Sequence, residues 1–474
     1  MFSIYYQKLL EEFLTMYDVI IIGAGTAGIS AYKEALKRTS NLLIINDGPW
    51  DTTCARVGCM PSKVLISSAN RAHEMQNLDG LGIRAKVEID TSQVMQHVQQ
   101  LRDRFTRATL KDVDSWPAEH KISGRAEFIN HNTVQVNGTE YQANSFILAV
   151  GSTPAIDDKI KQELGEYLIS SDDIFELKKL PQSLAVIGSG VIAIELAQAM
   201  HRLGVKTDIF ARSRKVGTLS SSLLQTQAQV ILSQELNLHF ETLPKTYKKT
   251  EAGVEINFVE NNQNQTLTVD YVLSATGRKS LLNTLKLENI DPKFSDLKDI
   301  EIDPVTKQIN DLAIYIVGDA HTTTPIQHEA AHAGRNAIQH CFSQSSVDRL
   351  NPLTPIGIVF SSPQMASVGL NSKQLKESNI AFVTGVADYS RQGRAIVNAQ
   401  NQGAVEIYVD IKTRKILGAE FFIYSAEHLA HLLAWLIDED ATLDDALNKP
   451  FYHPTIEEGL RTALKHARRQ LSLS

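Results

Sequence analysis

Cysteine is scarce in this chain. Three in 474 residues are too few for a framework of structural disulphides and point to a reducing, cytoplasmic compartment. No apolar run reaches the roughly eighteen residues that a membrane-spanning helix needs. There is no basic excess either. The 47 Lys and Arg stand against 54 Asp and Glu, and the formal net charge of −7 argues against nucleic acid as the main partner. The opening segment, MFSIYYQKLLEEFLTM, lacks a basic n-region and a small-residue cleavage site, so it does not read as a secretory signal. It reads as a short amphipathic helix, or as an extension ahead of a second possible start at Met16. What remains is an ordinary globular composition, 43% hydrophobic and 21% charged, in a chain too long for one core. About three domains are expected.

One supersecondary unit occurs twice. YDVIIIGAGTAGISAYKEALKR runs from an apolar strand through Gly23-x-Gly25-x-x-Gly28 into a helix, with a further strand at NLLII. Around residue 184, SLAVIGSGVIAIELAQAMHRLGVKTDIFA repeats that plan with Gly188-x-Gly190-x-x-Ala193. Each is a βαβ dinucleotide fingerprint: the first Gly makes the tight turn, and the second lets a pyrophosphate approach the backbone. The third position must be small for helix and strand to pack. One such match is weak evidence; two, each between an apolar strand and a helix, are not. Short apolar runs end at Gly151, Gly277 and Gly318 (FILAVGS, YVLSATG, AIYIVGD), and the first two flank the second unit. That unit therefore reads as inserted in the first domain. From LNPLTPIGIVF onward, alternating strands and then helices predict a separate α+β domain with an antiparallel sheet.

The segment Thr53-Cys54-Ala55-Arg56-Val57-Gly58-Cys59-Met60-Pro61-Ser62-Lys63 carries the densest chemistry. A Cys-x4-Cys spacing opening a helix can bring two sulphurs together across one turn, and helix N-terminal amides favour a thiolate. A metal half-site is the alternative, but no second Cys pair stands at ligand spacing to complete it, so no metal is expected. Cys341, in a helical pattern, reads as a small core residue. Near the other end, His453 is followed five residues later by Glu458, the parts of an oriented general acid–base. Taken alone, His453 would read as a surface histidine at a helix start.

Together these residues resemble the pyridine nucleotide–disulphide oxidoreductase family from Tyr17 to Leu464: both fingerprints, CARVGCMPSK, ATGR, VGD, FSSPQMASVG and HPTIEE appear in family order. The resemblance implies an FAD-binding domain over 16–153 and 275–346 and an NAD(P)-binding domain over 154–274. An interface domain would follow over 347–474, with 1–15 as an extension. It implies that Cys54 is the interchange thiol, that Cys59 faces the flavin as the charge-transfer thiolate, and that Lys63 pairs with Glu195 beside the flavin. FAD would be held by the first fingerprint with Gly124, Gly151, Gly318, Asp319 and Gln327. The nicotinamide would be held by the second fingerprint and Gly277. His453 and Glu458 would act on the cysteines of the other subunit, making a homodimer necessary. The wording Cys-Met-Pro-Ser-Lys and His-Pro-Thr-x-x-Glu is most similar to dihydrolipoyl dehydrogenase. Soluble transhydrogenase lacks the second redox cysteine, and mercuric reductase carries an extra C-terminal Cys pair absent from HARRQLSLS. Glutathione reductase usually reads Pro-Lys-Lys at Pro61-Ser62-Lys63. A non-catalytic binding subunit would be expected to have lost Cys54, Cys59, Lys63 or His453, and all four are present.

Three positions depart from the family. Asn46, followed by Asp47, stands where an acidic residue binds the adenosine ribose; either could make that hydrogen bond. Asp51-Thr52 replaces the usual Gly-Gly ahead of the cysteines. Ala211, followed by Arg212 and Arg214, stands where a carboxylate would bind the ribose of NAD, which favours a 2′-phosphate and NADP(H). The bland reading of those arginines is a solvated basic turn.

Overall fold

The computed structural model describes residues 16–321, 325–343 and 353–473. The extension expected at 1–15 and the domain boundary expected at 346/347 lie outside the described residues. The chain divides into two compact units. One takes in the described residues up to Pro61, Gln100–Thr153, and Arg278 to residue 343. The other takes in Ser62–Gln99, Pro154–Gly277 and the described residues from Leu353.

In the first unit, five parallel strands lie in the order Ile314–Ile316, Phe146–Leu148, Val19–Ile22, Leu42–Asn46, Lys121–Ser123. Val19–Ile22 is buried along its whole length, which is why it reads as a continuous apolar run rather than an alternating one. Val19 and Ile21 pack with Ala27, Ala31 and Ala337, from the helices Thr26–Ala35 and Gln327–Phe342. Ile20 and Ile22 face Phe128, Phe146 and Leu148 on the opposite side. Strand order reverses beside Val19–Ile22, the kind of switch point at which open parallel sheets bind ligands.

The second unit repeats the plan. Its parallel sheet runs Leu168–Ser170, Tyr271–Ser274, Ser183–Ile187, Lys206–Ala211, Asn237–Phe240. The helix Val191–Arg202 follows its central strand. The C-terminal part is a five-stranded antiparallel sheet, ordered Ile356–Val359, Gln364–Gly369, Ile416–Ile423, Ala404–Asp410, Phe382–Asp388. The helix Glu458–Leu471 lies so close to it that a Cβ at Gly385 would stand 2.2 Å from the Ala463 carbonyl oxygen. The fold is thus α/β with two dinucleotide-type parallel sheets, the second interrupting the first in sequence, and an α+β region at the end. No described helix is long and apolar enough to cross a membrane.

Candidate active site

Sterics fix the glycines of the first fingerprint. Gly23 has φ +105°, and a Cβ there would meet the Ala149 carbonyl oxygen at 2.4 Å. A Cβ on Gly28 would stand 1.8 Å from the Gly23 carbonyl oxygen. Gly25 caps the helix Thr26–Ala35, and a Cβ there would meet nothing within 4 Å, so open space lies before the helix N-terminus. A phosphate fits such a place, between free N–H groups and the positive end of the dipole. Asn46 Oδ1 accepts the Ala24 N–H at 2.9 Å, while Nδ2 donates to the carbonyls of Gly48 and Pro49. The carboxamide is therefore engaged in holding the turn, and Asp47 is the half-exposed carboxylate beside it, 2.6 Å from Arg125. Gly124 N–H donates to the Asn46 carbonyl. Gly151 and Gly318 both have positive φ, and Gly318 leaves room for Ala27, whose Cβ would lie 3.0 Å from its own. Burial pushes the Asp319 carboxyl up, with Arg278 opposing. Gln327 opens the helix Gln327–Phe342. Arg278, the last residue of the ATGR run, is anchored by Ser152 Oγ at 2.9 Å and Ser152 O at 2.7 Å.

The cysteine segment is two helices, not one. Thr53–Arg56 is a single turn capped by Thr52, whose hydroxyl accepts the Ala55 N–H at 3.1 Å; Cys54 lies within it. The turn stops at Val57 (φ −134°, ψ 16°), and Cys59 begins a new helix, Cys59–Gln76. The two cysteines thus stand on two successive helices, and Gly58 lies at the break between them. Its Cβ would stand 3.0 Å from Thr53 O and 3.1 Å from Cys54 Cα, so the chain passes close to the Cys54 backbone at a residue that has no side chain in the way. Asp51, only 9% exposed, meets Arg56 with Nε to Oδ1 at 2.9 Å.

In the second unit, Lys63 Nζ lies 2.8 Å from Glu195 Oε2 and 4.6 Å from the centre of the Phe360 ring. The other Glu195 oxygen accepts the Phe360 N–H at 2.8 Å. A carboxylate 4% exposed thus has a cation on one oxygen and an amide on the other. Phe360 is the residue that sequence reasoning missed; the FSSPQ run held it, but nothing in that run says that its backbone serves Glu195. The second fingerprint repeats the first: a Cβ at Gly188 (φ +123°) would stand 2.4 Å from the Ala275 carbonyl oxygen, and one at Gly190 would meet nothing. Ala193 is fully buried. Ala211 ends its strand fully buried, and Arg212 and Arg214 follow exposed. The Arg214 guanidinium stands 5.1 Å from the Phe240 ring centre. Gly277 has φ +123° and open space around it.

His453 Nδ1 lies 3.1 Å from both oxygens of Glu458, with its side chain 80% exposed. The Thr455 N–H and then His453 hold the Glu458 carboxyl below its usual range. An ionised carboxylate only accepts, so Nδ1 donates and Nε2 presents a lone pair outward. Cys341 packs half-buried in the first unit, where burial pushes its thiol up. Among the described residues, no group of three or more His, Cys, Asp or Glu is placed to hold a metal ion.

The profile described as pyridine nucleotide-disulphide oxidoreductase matches residues 17–335, and that of its dimerisation domain matches 356–464. A mercuric reductase of Staphylococcus aureus is 29% identical over 456 residues, 94% of this chain and 82% of that protein. A dihydrolipoyl dehydrogenase of Mycoplasma genitalium is 26% identical over 457 residues, 95% of this chain and 98% of that protein. Among solved structures, LpdA of Mycobacterium tuberculosis superposes with a TM-score of 0.81 at 21% identity, covering 96% of this chain and all of that one. The Cu(II) complex of RclA, an HOCl-induced flavoprotein disulphide reductase of Escherichia coli, gives 0.77 at 20%, covering 95% and 99%. At such identities the two structures speak to the fold.

Proposed function

Because the chain belongs to the pyridine nucleotide-disulphide oxidoreductase family, we propose that it oxidises a dihydrolipoyl-type dithiol through a Cys54–Cys59 disulphide and passes the electron pair to a nicotinamide. The family implies FAD and a pyridine nucleotide as cofactors. The observation that carries the reading is the close approach of Gly58, the residue before Cys59, to the Cys54 backbone. Bound FAD would supply the relay of two electrons from the cysteine pair to the nicotinamide. Gly23, Gly25, Gly28, Asp47, Gly124, Gly151, Gly318, Asp319 and Gln327 would hold it. Gly188, Gly190, Ala193, Arg212, Arg214 and Gly277 would hold the nicotinamide.

The protein's own steps are thiol–disulphide exchange. A substrate thiolate attacks Cys54 Sγ, the Cys54–Cys59 bond breaks, and Cys59 leaves as a thiolate. The second substrate thiol then displaces Cys54, releasing a substrate disulphide and two cysteine sulphurs reduced by two electrons. His453 Nε2, oriented through Nδ1 by Glu458, takes the substrate proton. In this reading that histidine comes from a second copy, which the dimerisation-domain match supports. Lys63, paired with Glu195, would offer bound flavin a cation, which favours the reduced form. Within this sequence the only other cysteine is Cys341.

A second reading, an NADPH-dependent reductase of another disulphide such as glutathione disulphide, is favoured by Ala211 and the exposed Arg212. Rates of the purified holoprotein with NADH or NADPH, on lipoamide and on glutathione disulphide, separate the two. Lipoamide turnover, absent in Cys54→Ser, is the expected result. Reduction of glutathione disulphide alone would overturn the dihydrolipoyl reading, and turnover that survives Cys54→Ser would overturn both.

A further inference from the structure

We propose that the Asp51–Arg56 ion pair is a charge-balanced clamp that positions Cys54 and sets the redox equilibrium of the Cys54–Cys59 pair; it rests on the redox reading above. Two glycines usual to the family are replaced here, and the structure shows what the replacement does. Asp51 is 9% exposed, and a buried carboxylate requires a partner. Arg56 supplies it at 2.9 Å, bridging five positions over the single helical turn Thr53–Arg56. Cys54 lies inside the loop that this bridge closes. The Thr52 hydroxyl ties the same turn at Ala55, and Gly58 closes it from the far side. A Gly-Gly lead-in would leave the turn with more backbone freedom and neither charge.

The two charges act on Cys54 with opposite sign. An unpaired guanidinium would stabilise a thiolate and so the reduced pair; an unpaired carboxylate would disfavour both. Paired, they cancel at range while the geometry is kept. Asp51 and Arg56 are therefore positioning residues whose balance is measurable without turnover.

The test equilibrates holoenzyme anaerobically, without nicotinamide, in buffers of reduced and oxidised dithiothreitol. The Cys54–Cys59 disulphide fraction is read by alkylation and mass spectrometry, and the Cys54 alkylation rate at one pH is followed alongside. Reduction of the pair takes two electrons and two protons from dithiothreitol, which closes to its cyclic disulphide. Asp51→Asn should move the equilibrium about tenfold towards the dithiol, roughly 30 mV, and speed alkylation. Arg56→Met should move both the other way. The double variant should return to within about threefold of wild type, and Arg56→Lys should stay near it. Single variants shifting in the same direction, or none shifting, would overturn the clamp. A wild type that never forms the Cys54–Cys59 disulphide would take the redox reading down with it. If Arg56→Met fails to fold, Asp51→Asn and the double variant still decide the sign.

Discussion

The two glycine fingerprints share the backbone of their helix caps almost to the degree and differ where a single carbon decides. Gly25 and Gly190 cap their helices at φ −79°, ψ −169° and φ −77°, ψ −170°. Gly23 and Gly188 each leave a Cβ 2.4 Å from a carbonyl oxygen of the neighbouring strand's end. At the third position the likeness stops. A Cβ at Gly28 would lie 1.8 Å from Gly23 O, whereas Ala193 carries its methyl into a closed core without exposure. One motif thus describes two tolerances. The first turn is packed against its own helix, and the second has room for one more carbon. The strand ends diverge too, with Asn46 and Asp47 in one and Ala211 and Arg212 in the other.

The largest expected effect breaks the first turn. Gly28→Ala drives a carbon into backbone that has no flexible side chain to yield, at a cost of about 3 kcal/mol or more. The purified protein should melt lower and retain less flavin. Ala193→Gly, at the matching place, should cost only about 1 kcal/mol, the helix-propensity difference, and leave flavin content unchanged. Equal effects of the two changes on flavin content and melting would show that the fingerprints are equivalent after all.

That asymmetry was not legible in the sequence, although both fingerprints were. A glycine motif states where the chain must turn, and the local steric rule is the same in both copies. Whether the third position tolerates a methyl depends on how closely the helix approaches its own turn. The strands at 146–148 and 314–316 were readable because burial on both faces leaves an unbroken apolar run. The break between Cys54 and Cys59 was not, since a five-residue spacing suits one helix as well as two. Nor was the tie from Glu195 to the Phe360 amide, made by backbone 165 positions away. Asn46 stands at the position of a ribose ligand; that its carboxamide also spans the turn, only the loop's path reveals.

The strand ends give the next effect. Arg212 is exposed directly after a strand that ends in a buried Ala, so a ribose 2′-phosphate would find a forked donor there and a 2′-hydroxyl no carboxylate. Arg212→Met should lower kcat/KM for NADPH by roughly ten- to hundredfold, the worth of a charged hydrogen bond of about 1.5–3 kcal/mol. The value for NADH should barely move. A wild type that clearly prefers NADH would leave Arg212 a solvated arginine and strengthen the dihydrolipoyl reading.

The smallest effect belongs to a titratable tie in the second unit. His239, on the edge strand Asn237–Phe240, places Nε2 3.0 Å from Asp208 and Nδ1 2.9 Å from Glu260, and stacks on Phe210. Burial pulls its pKa down, but the hydrogen bonds to Asp208 and Glu260 outweigh burial and raise it above the ordinary value near 6.5. A group held more basic in the folded state binds its proton more tightly there. Its stabilisation is fully present below the unfolded pKa and is lost as pH rises through the raised folded one. With two carboxylates as partners and desolvation set against them, the net worth is roughly 0.5–1 kcal/mol. His239→Gln should therefore lower the melting temperature most at pH 6, with the gap to wild type closing as the pH rises towards 9. Each melting curve should be taken at constant ionic strength, because part of the attraction is screened. A gap that stays constant over that range would mean that His239 stabilises through its stacking on Phe210, with the proton playing no part.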